Sequence, residues 1–152
     1  MTRLAHGAVV DASVGVKLVV AEEGHAAARS FFARAVREEW ATAVPEFTAL
    51  EVGNALWAKT RRRQLTPALA REGLALFLRA TARSIRVPEG VLATGALAIA
   101  LQYGVTVYDG CYLALARRLE LPLLSADAKL ATAPLRRAFE VVLLAELEEA
   151  GA

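Results

Sequence analysis

Four acidic residues, Asp11, Glu51, Asp109 and Asp127, occupy positions in this chain that could do chemistry. Asp11 sits in VVDASV, Asp109 directly follows VTVY, and Asp127 lies just past PLLS. Each aspartate follows a run that reads as a strand and precedes one that reads as a helix. Acids at the carboxyl ends of parallel strands share one edge of the sheet, where crevices form. Each aspartate reads equally well as a helix cap favoured by the helix dipole. Glu51 differs, because TALEVGNAL places it well inside a helix. Phe47, Ala55 and Ala58 lie at helical spacing from it, so its face is apolar or small. An unpaired carboxylate there costs about several kcal/mol. It needs a cation, a proton or a hydrogen-bond partner, for which Asn54 at i+3 is a candidate. Glu46, beside Pro45, reads as a solvated acid at the helix start.

Carboxylates converging on one crevice repel one another unless a cation neutralises them. The donors are all oxygen and no cysteine–histidine cluster offers a softer site, so magnesium or manganese fits the set. Such a site suits phosphoryl chemistry, with no protein nucleophile required. Ser13 and Ser125 flank the same crevice and could orient a water or a ligand carboxylate, or serve as turn and capping hydroxyls. The densest basic run is KTRRRQ. Lys59, Arg61, Arg62 and Arg63 read either as a helix C-terminal cap or as a phosphate-contact patch. Lys17, Arg117 and Arg118 are weaker candidates. Tyr108 and Tyr112 neighbour Asp109 and read as core. His6 and His25 read as solvent-facing.

The elements that must position these residues alternate. Ala8 to Val10 reads as a buried strand, followed by helices from about Ala12 to Ala21 and from His25 to Glu39, the latter with Phe31, Phe32 and Val36 as its apolar stripe. Ala41 to Val44 reads as a strand, with Pro45 opening a helix that runs to about Arg62. Thr66 caps a helix with Pro67 at its first position, running to about Ala82. SIRV is a short strand, Pro88 to Tyr103 a helix, and Gly104 its stop. VTVY reads as a fourth strand ahead of a helix from Asp109 to Leu119. LPLLS reads as a fifth, followed by a short helix from about Ala128 to Leu135, and FEVVLL as an additional edge strand. The pattern predicts an α/β/α sandwich: a mostly parallel sheet of about five strands with helices on both faces.

The length of 152 residues fits one domain spanning 1–152. Apolar residues make up 56%, ample for one core. A net charge of +2 permits a polyanionic partner without demanding one. Cys111 is the sole cysteine, which excludes an internal disulfide, favours a reducing, cytoplasmic setting, and reads as a small buried apolar residue. Gly90 to Tyr108 carries no charge, but its glycines, Thr94 and Gln102 argue for a buried helix and strand rather than a membrane span.

The ordered series VVDASV, ALEVGNAL, VYDGCYLALA and LLSADAKL resembles the PIN-domain ribonucleases, specifically VapC-type toxins of prokaryotic toxin–antitoxin pairs. The resemblance runs from Val9 to Leu130. It implies a PIN-like fold and a magnesium- or manganese-dependent endoribonuclease. Asp11, Glu51, Asp109 and Asp127 would bind metal, with Ser125 lining the site. It also implies a cognate VapB-type antitoxin laid over the crevice, and a homodimer. Asp127 matches the least uniform of the family's acids. Gly110 stands where the family more often has alanine, which is expected to loosen the helix start. Two rival readings remain on residues alone: a receiver-like phospho-aspartate switch, and a non-catalytic binding module whose acids are caps.

Overall fold

The computed structural model describes Leu4 and residues 7–150, the last three by backbone only. Its elements run β1 (Gly7–Val10), α1 (Ala12–Val19), α2 (His25–Arg37), β2 (Ala41–Pro45), α3 (Thr48–Arg61), α4 (Pro67–Ala80) and β3 (Ile85–Val87). They continue with α5 (Glu89–Tyr103), α6 (Val107–Leu119), β4 (Leu123–Ser125), a 3-10 turn (Ala128–Ala131), α7 (Ala133–Ala138), β5 (Val141–Leu143) and α8 (Leu144–Ala150). The described strands form one five-stranded sheet in the order β3-β2-β1-β4-β5. Every pairing is parallel. The connections from β1 therefore diverge. β2 lies on one side of it and β4 on the other, so a crevice opens at the carboxyl ends of β1 and β4.

Strand residues alternate between two cores, as a pleat requires. Val9, Ala43, Leu123 and Val141 face Val52, Leu56, Phe77, Ile99 and Leu113. Ala8, Val10, Val44, Leu124 and Val142 face Val14, Leu18, Phe31 and Phe32. Thus α3 to α6 cover one face, and α1, α2 and α8 the other. The sandwich is as expected from the sequence.

Several boundaries differ for identifiable reasons. VTVY is not a strand. Thr106 caps α6 by accepting from the Asp109 N–H at 3.1 Å, and Asp109 returns a long contact to the Thr106 N–H at 3.4 Å. This reciprocal box outweighs the β-branched pattern. Its place in the sheet goes to β5, which FEVVLL anticipated. Pro45 ends β2 rather than opening α3. Glu51 therefore lies in the first turn of α3 and not in its interior. Val36 is 65% exposed and Ala35 fills the stripe position beside Phe31 and Phe32. Thr66 and Gly104 behave as read: Thr66 accepts from the Leu69 N–H, and Gly104 closes α5 at φ +69.

No single described helix is long and apolar enough to cross a membrane; α5 and α6 are bent at 113° to each other. Gly110 marks a close approach of α6 to α5. A Cβ there would stand 2.4 Å from the Ala96 carbonyl oxygen, so the missing side chain lets α5 and α6 approach closely.

Candidate active site

Asp11 follows β1 and occupies the N-cap position of α1, yet its side chain makes no cap hydrogen bond. Its Oδ2 accepts instead from Ser13 Oγ at 2.5 Å and Ser125 Oγ at 2.7 Å. The two hydroxyls are themselves 3.3 Å apart. Ser13 Oγ accepts from the Ala126 N–H and Ser125 Oγ from the Asp127 N–H. The end of β1 is thus laced to the loop after β4. This arrangement exists because those strands are neighbours: the Asp11 N–H donates to the Leu124 carbonyl at 3.0 Å. Asp11 is only 6% exposed. Burial raises its pKa, opposed by the serine hydrogen bonds and reinforced by the charge of Asp109.

Glu51 comes from the first turn of α3, where the helix dipole favours a carboxylate. Asn54, its expected helper, is exposed. Tyr112 from α6 takes that part, with its Oη 2.5 Å from Glu51 Oε2. Burial again raises the pKa of Glu51, the Tyr112 bond lowers it, and the charges of Asp11 and Asp109 raise it. Those mutual influences place Asp11, Glu51 and Asp109 in one another's field.

Asp109 and Asp127 do local work. Asp109 completes the α6 capping box, and Asp127 Oδ1 accepts from the Lys129 N–H at 2.9 Å, capping the 3-10 turn. Among the described residues no three His, Cys, Asp or Glu side chains already stand where they could share one ion. Each carboxylate is held by its own donors. The chemistry of the set still fits a hard divalent ion: oxygen donors, one deeply buried acid, and neighbouring charges that penalise the ionisation of Asp11 and Glu51.

The basic run lies elsewhere. Arg61 is about 15 Å along the α3 axis from Glu51, from ten residues at the helical rise. Lys59 bonds Glu22 Oε2 at 2.7 Å, beside a Lys17–Glu22 ion pair at 3.3 Å. Arg61 stacks over Trp57, Arg62 is the α3 C-cap, and Arg63 adopts a left-handed backbone. His6 lies outside the described residues. His25 is half-buried rather than solvent-facing, its Nδ1 donating to the Lys17 carbonyl at 2.8 Å. Cys111 is buried, as expected, and burial raises its thiol pKa.

The two tyrosines part company. Tyr112 is 1% exposed and is core, but its hydroxyl belongs to the site. Tyr108 is 61% exposed and rests edge-on against Phe47, ring centres 5.5 Å apart. Sequence reading missed Thr48 altogether. Its spacing of three residues before Glu51 on one helix was the available signal.

A parallel sheet with a buried acid at its switch point, flanked by two further acids, defines an α/β/α protein with an acid-lined crevice. The PIN domain family model matches residues 8–134, and the chain belongs to that family. It is 38% identical over 126 residues to Ribonuclease VapC3 of Pyrobaculum aerophilum, covering 81% of this chain and 91% of that protein. The crystal structure of PAE2754 from Pyrobaculum aerophilum superposes with a TM-score of 0.64 at 23% identity, over 95% of this chain and 91% of that one. A toxin-antitoxin complex from Klebsiella pneumoniae gives a TM-score of 0.57 at 19% identity, over 90% and 97%. These two structures speak for the fold.

Proposed function

We propose that this chain is the toxin half of a toxin–antitoxin pair: an endoribonuclease, dependent on magnesium or manganese, that hydrolyses phosphodiester bonds in RNA. The supporting observation is Asp11, a nearly inaccessible carboxylate gripped by two serines at the sheet's switch point, in the field of Glu51 and Asp109. Evolution toward stability alone has little reason to bury an acid there and surround it with like charge. The 38% identity to Ribonuclease VapC3 supports the ribonuclease reading.

Asp11, Glu51 and Asp109 would hold the ion, with Asp127 at the rim. When bound, magnesium or manganese would polarise the phosphate and make water more acidic. Ser13 and Ser125 fix the orientation of Asp11, and the Tyr112 hydroxyl fixes that of Glu51. Asp109 would serve the ion while its Oδ2 keeps the long 3.4 Å contact to the Thr106 N–H, because its other carboxylate oxygen takes no part in that contact. Tyr108 offers an exposed ring at the lip, on which a base of single-stranded RNA can stack. The Lys59–Arg63 run, distant from Glu51, supplies attraction to polyanion rather than contact at the cleaved bond.

The antitoxin covers the crevice, and a second copy packs on the outer face of α5, where Val91, Leu97 and Leu101 are exposed, Leu101 at 78%. The lone thiol is consistent with a reducing cytoplasm. The decisive experiment incubates defined RNAs with the metal-stripped protein, then adds manganese. Cleavage should appear only with the ion, and Asp11→Ala should abolish it without altering the circular dichroism spectrum. Cleavage that persists after stripping, or in Asp11→Ala, would refute the reading.

A further inference from the structure

Three oxygen atoms line up behind Glu51. Tyr112 Oη stands 2.5 Å from Glu51 Oε2 and 3.0 Å from Thr48 Oγ1. Thr48 Oγ1 in turn donates to the Pro45 carbonyl at 2.8 Å. Tyr112 and Thr48 are 1% and 0% exposed, so water does not compete for these contacts. The series starts at the last residue of β2, passes through α3 and α6, and ends on a carboxylate that feels the charges of Asp11 and Asp109.

We infer that Tyr112, anchored by Thr48, is the positioning residue that sets the orientation of the Glu51 carboxylate for its ion. This rests on the reading of Glu51 as a metal ligand given above. Hydroxyl protons decide the direction of control. Each hydroxyl has a single proton. The Tyr112 proton goes to the carboxylate, the shorter and charge-assisted contact. Thr48 gives its own proton to the Pro45 carbonyl and presents Oγ1 as a second, longer acceptor 3.0 Å behind Tyr112 Oη, which holds the phenol oxygen from that side. Phe47 packs edge-on against the Tyr112 ring, with centres 5.7 Å apart, and the ring is buried. Glu51 has a flexible side chain of its own, and the expected helical helper, Asn54, is exposed. Groups that orient a ligand from behind typically change metal affinity about 10–100-fold when removed.

The test measures manganese binding by the loss of the free-ion paramagnetic resonance signal, at a temperature well below unfolding. Tyr112→Phe keeps the ring and its packing and removes only the hydroxyl. It should weaken manganese binding about 10–100-fold and lower kcat while leaving the KM for RNA unchanged. Thr48→Val should produce a smaller loss in the same direction, and serves where Tyr112→Phe folds poorly. Thr48→Ser, which restores a hydroxyl, should recover binding. Glu51→Ala is the control. If Glu51→Ala loses the ion while Tyr112→Phe and Thr48→Val bind it as the parent does, the positioning role is overturned and the ligand reading survives. If Glu51→Ala itself binds normally, both fall.

Discussion

Ser125 Oγ donates to Asp11 Oδ2 across 2.7 Å, joining residues 114 positions apart in the chain. The bond ties the carboxyl ends of β1 and β4 together, so the buried acid is held by the sheet itself. Removing its charge should separate stability from activity. Asp11→Asn keeps acceptors for both serines but no longer opposes Asp109 and Glu51. RNA cleavage should disappear while Tm in chelator rises, with each kcal/mol recovered worth about 2–4 °C in a chain of this size. Parallel melts and cleavage assays of the two proteins decide it; a lower Tm for Asp11→Asn would show that the charge is stabilising.

The raised pKa values of Asp11 and Glu51 have a sign that can be checked. In the unfolded chain these acids release protons at about pH 4. In the folded chain they hold them longer. The folded state therefore binds more protons in the interval between, and stability falls as pH rises. Their contribution is full below the unfolded values and lost as pH rises through the folded ones. Melting in chelator should show this decline, and manganese, which binds the ionised forms, should offset it increasingly at higher pH. A metal-free Tm that climbs steadily through this interval would contradict the assignment.

Gly110→Ala tests the close approach of α5 to α6. Alanine is the better helix former by about 1 kcal/mol. Here its Cβ would meet the Ala96 carbonyl at 2.4 Å. Overpacking of this kind costs typically 1–3 kcal/mol. The net effect should be destabilising, read as a lower urea midpoint at unchanged slope. Because Asp109 precedes Gly110, cleavage per folded molecule should fall as well.

Tyr108 and the basic run should fail differently. Tyr108→Ala removes an exposed stacking surface worth about 1–3 kcal/mol, so KM for single-stranded RNA should rise while an RNA with an abasic residue beside the cleaved bond shows no such change. Replacing Arg61, Arg62 and Arg63 with alanine should weaken binding uniformly across sequences and flatten its salt dependence. Equal sequence-independent losses from both changes would remove Tyr108 from the recognition of bases.

Much of the fold was legible in local pattern. Thr66 with Pro67, Gly104, and the alternation of apolar strands with helices each report a preference that the backbone expresses wherever the segment lies. VTVY misled because β-branched alternation and a Thr-x-x-Asp box coexist there, and the box satisfied two donors that a strand would have paired elsewhere. That Asp11, Glu51 and Asp109 share a field also needed the strand order, since α6 carries Asp109 in without a strand before it.

The amino-acid sequence by itself determined which residues are acidic, the cap at Thr66 and the stop at Gly104, and that a parallel sheet must be covered on both faces. Only the tertiary structure decided which donor each acid receives. Local pattern alone left the Asp11 side chain free to cap α1 and Glu51 free to turn to Asn54. Ser125 reaches Asp11 because β4 lies beside β1, and Tyr112 reaches Glu51 because α6 packs against β2, whose end leads into α3. Local propensity acts over a few residues, whereas these contacts span 114 and 61 positions and arise only when packing closes the sheet.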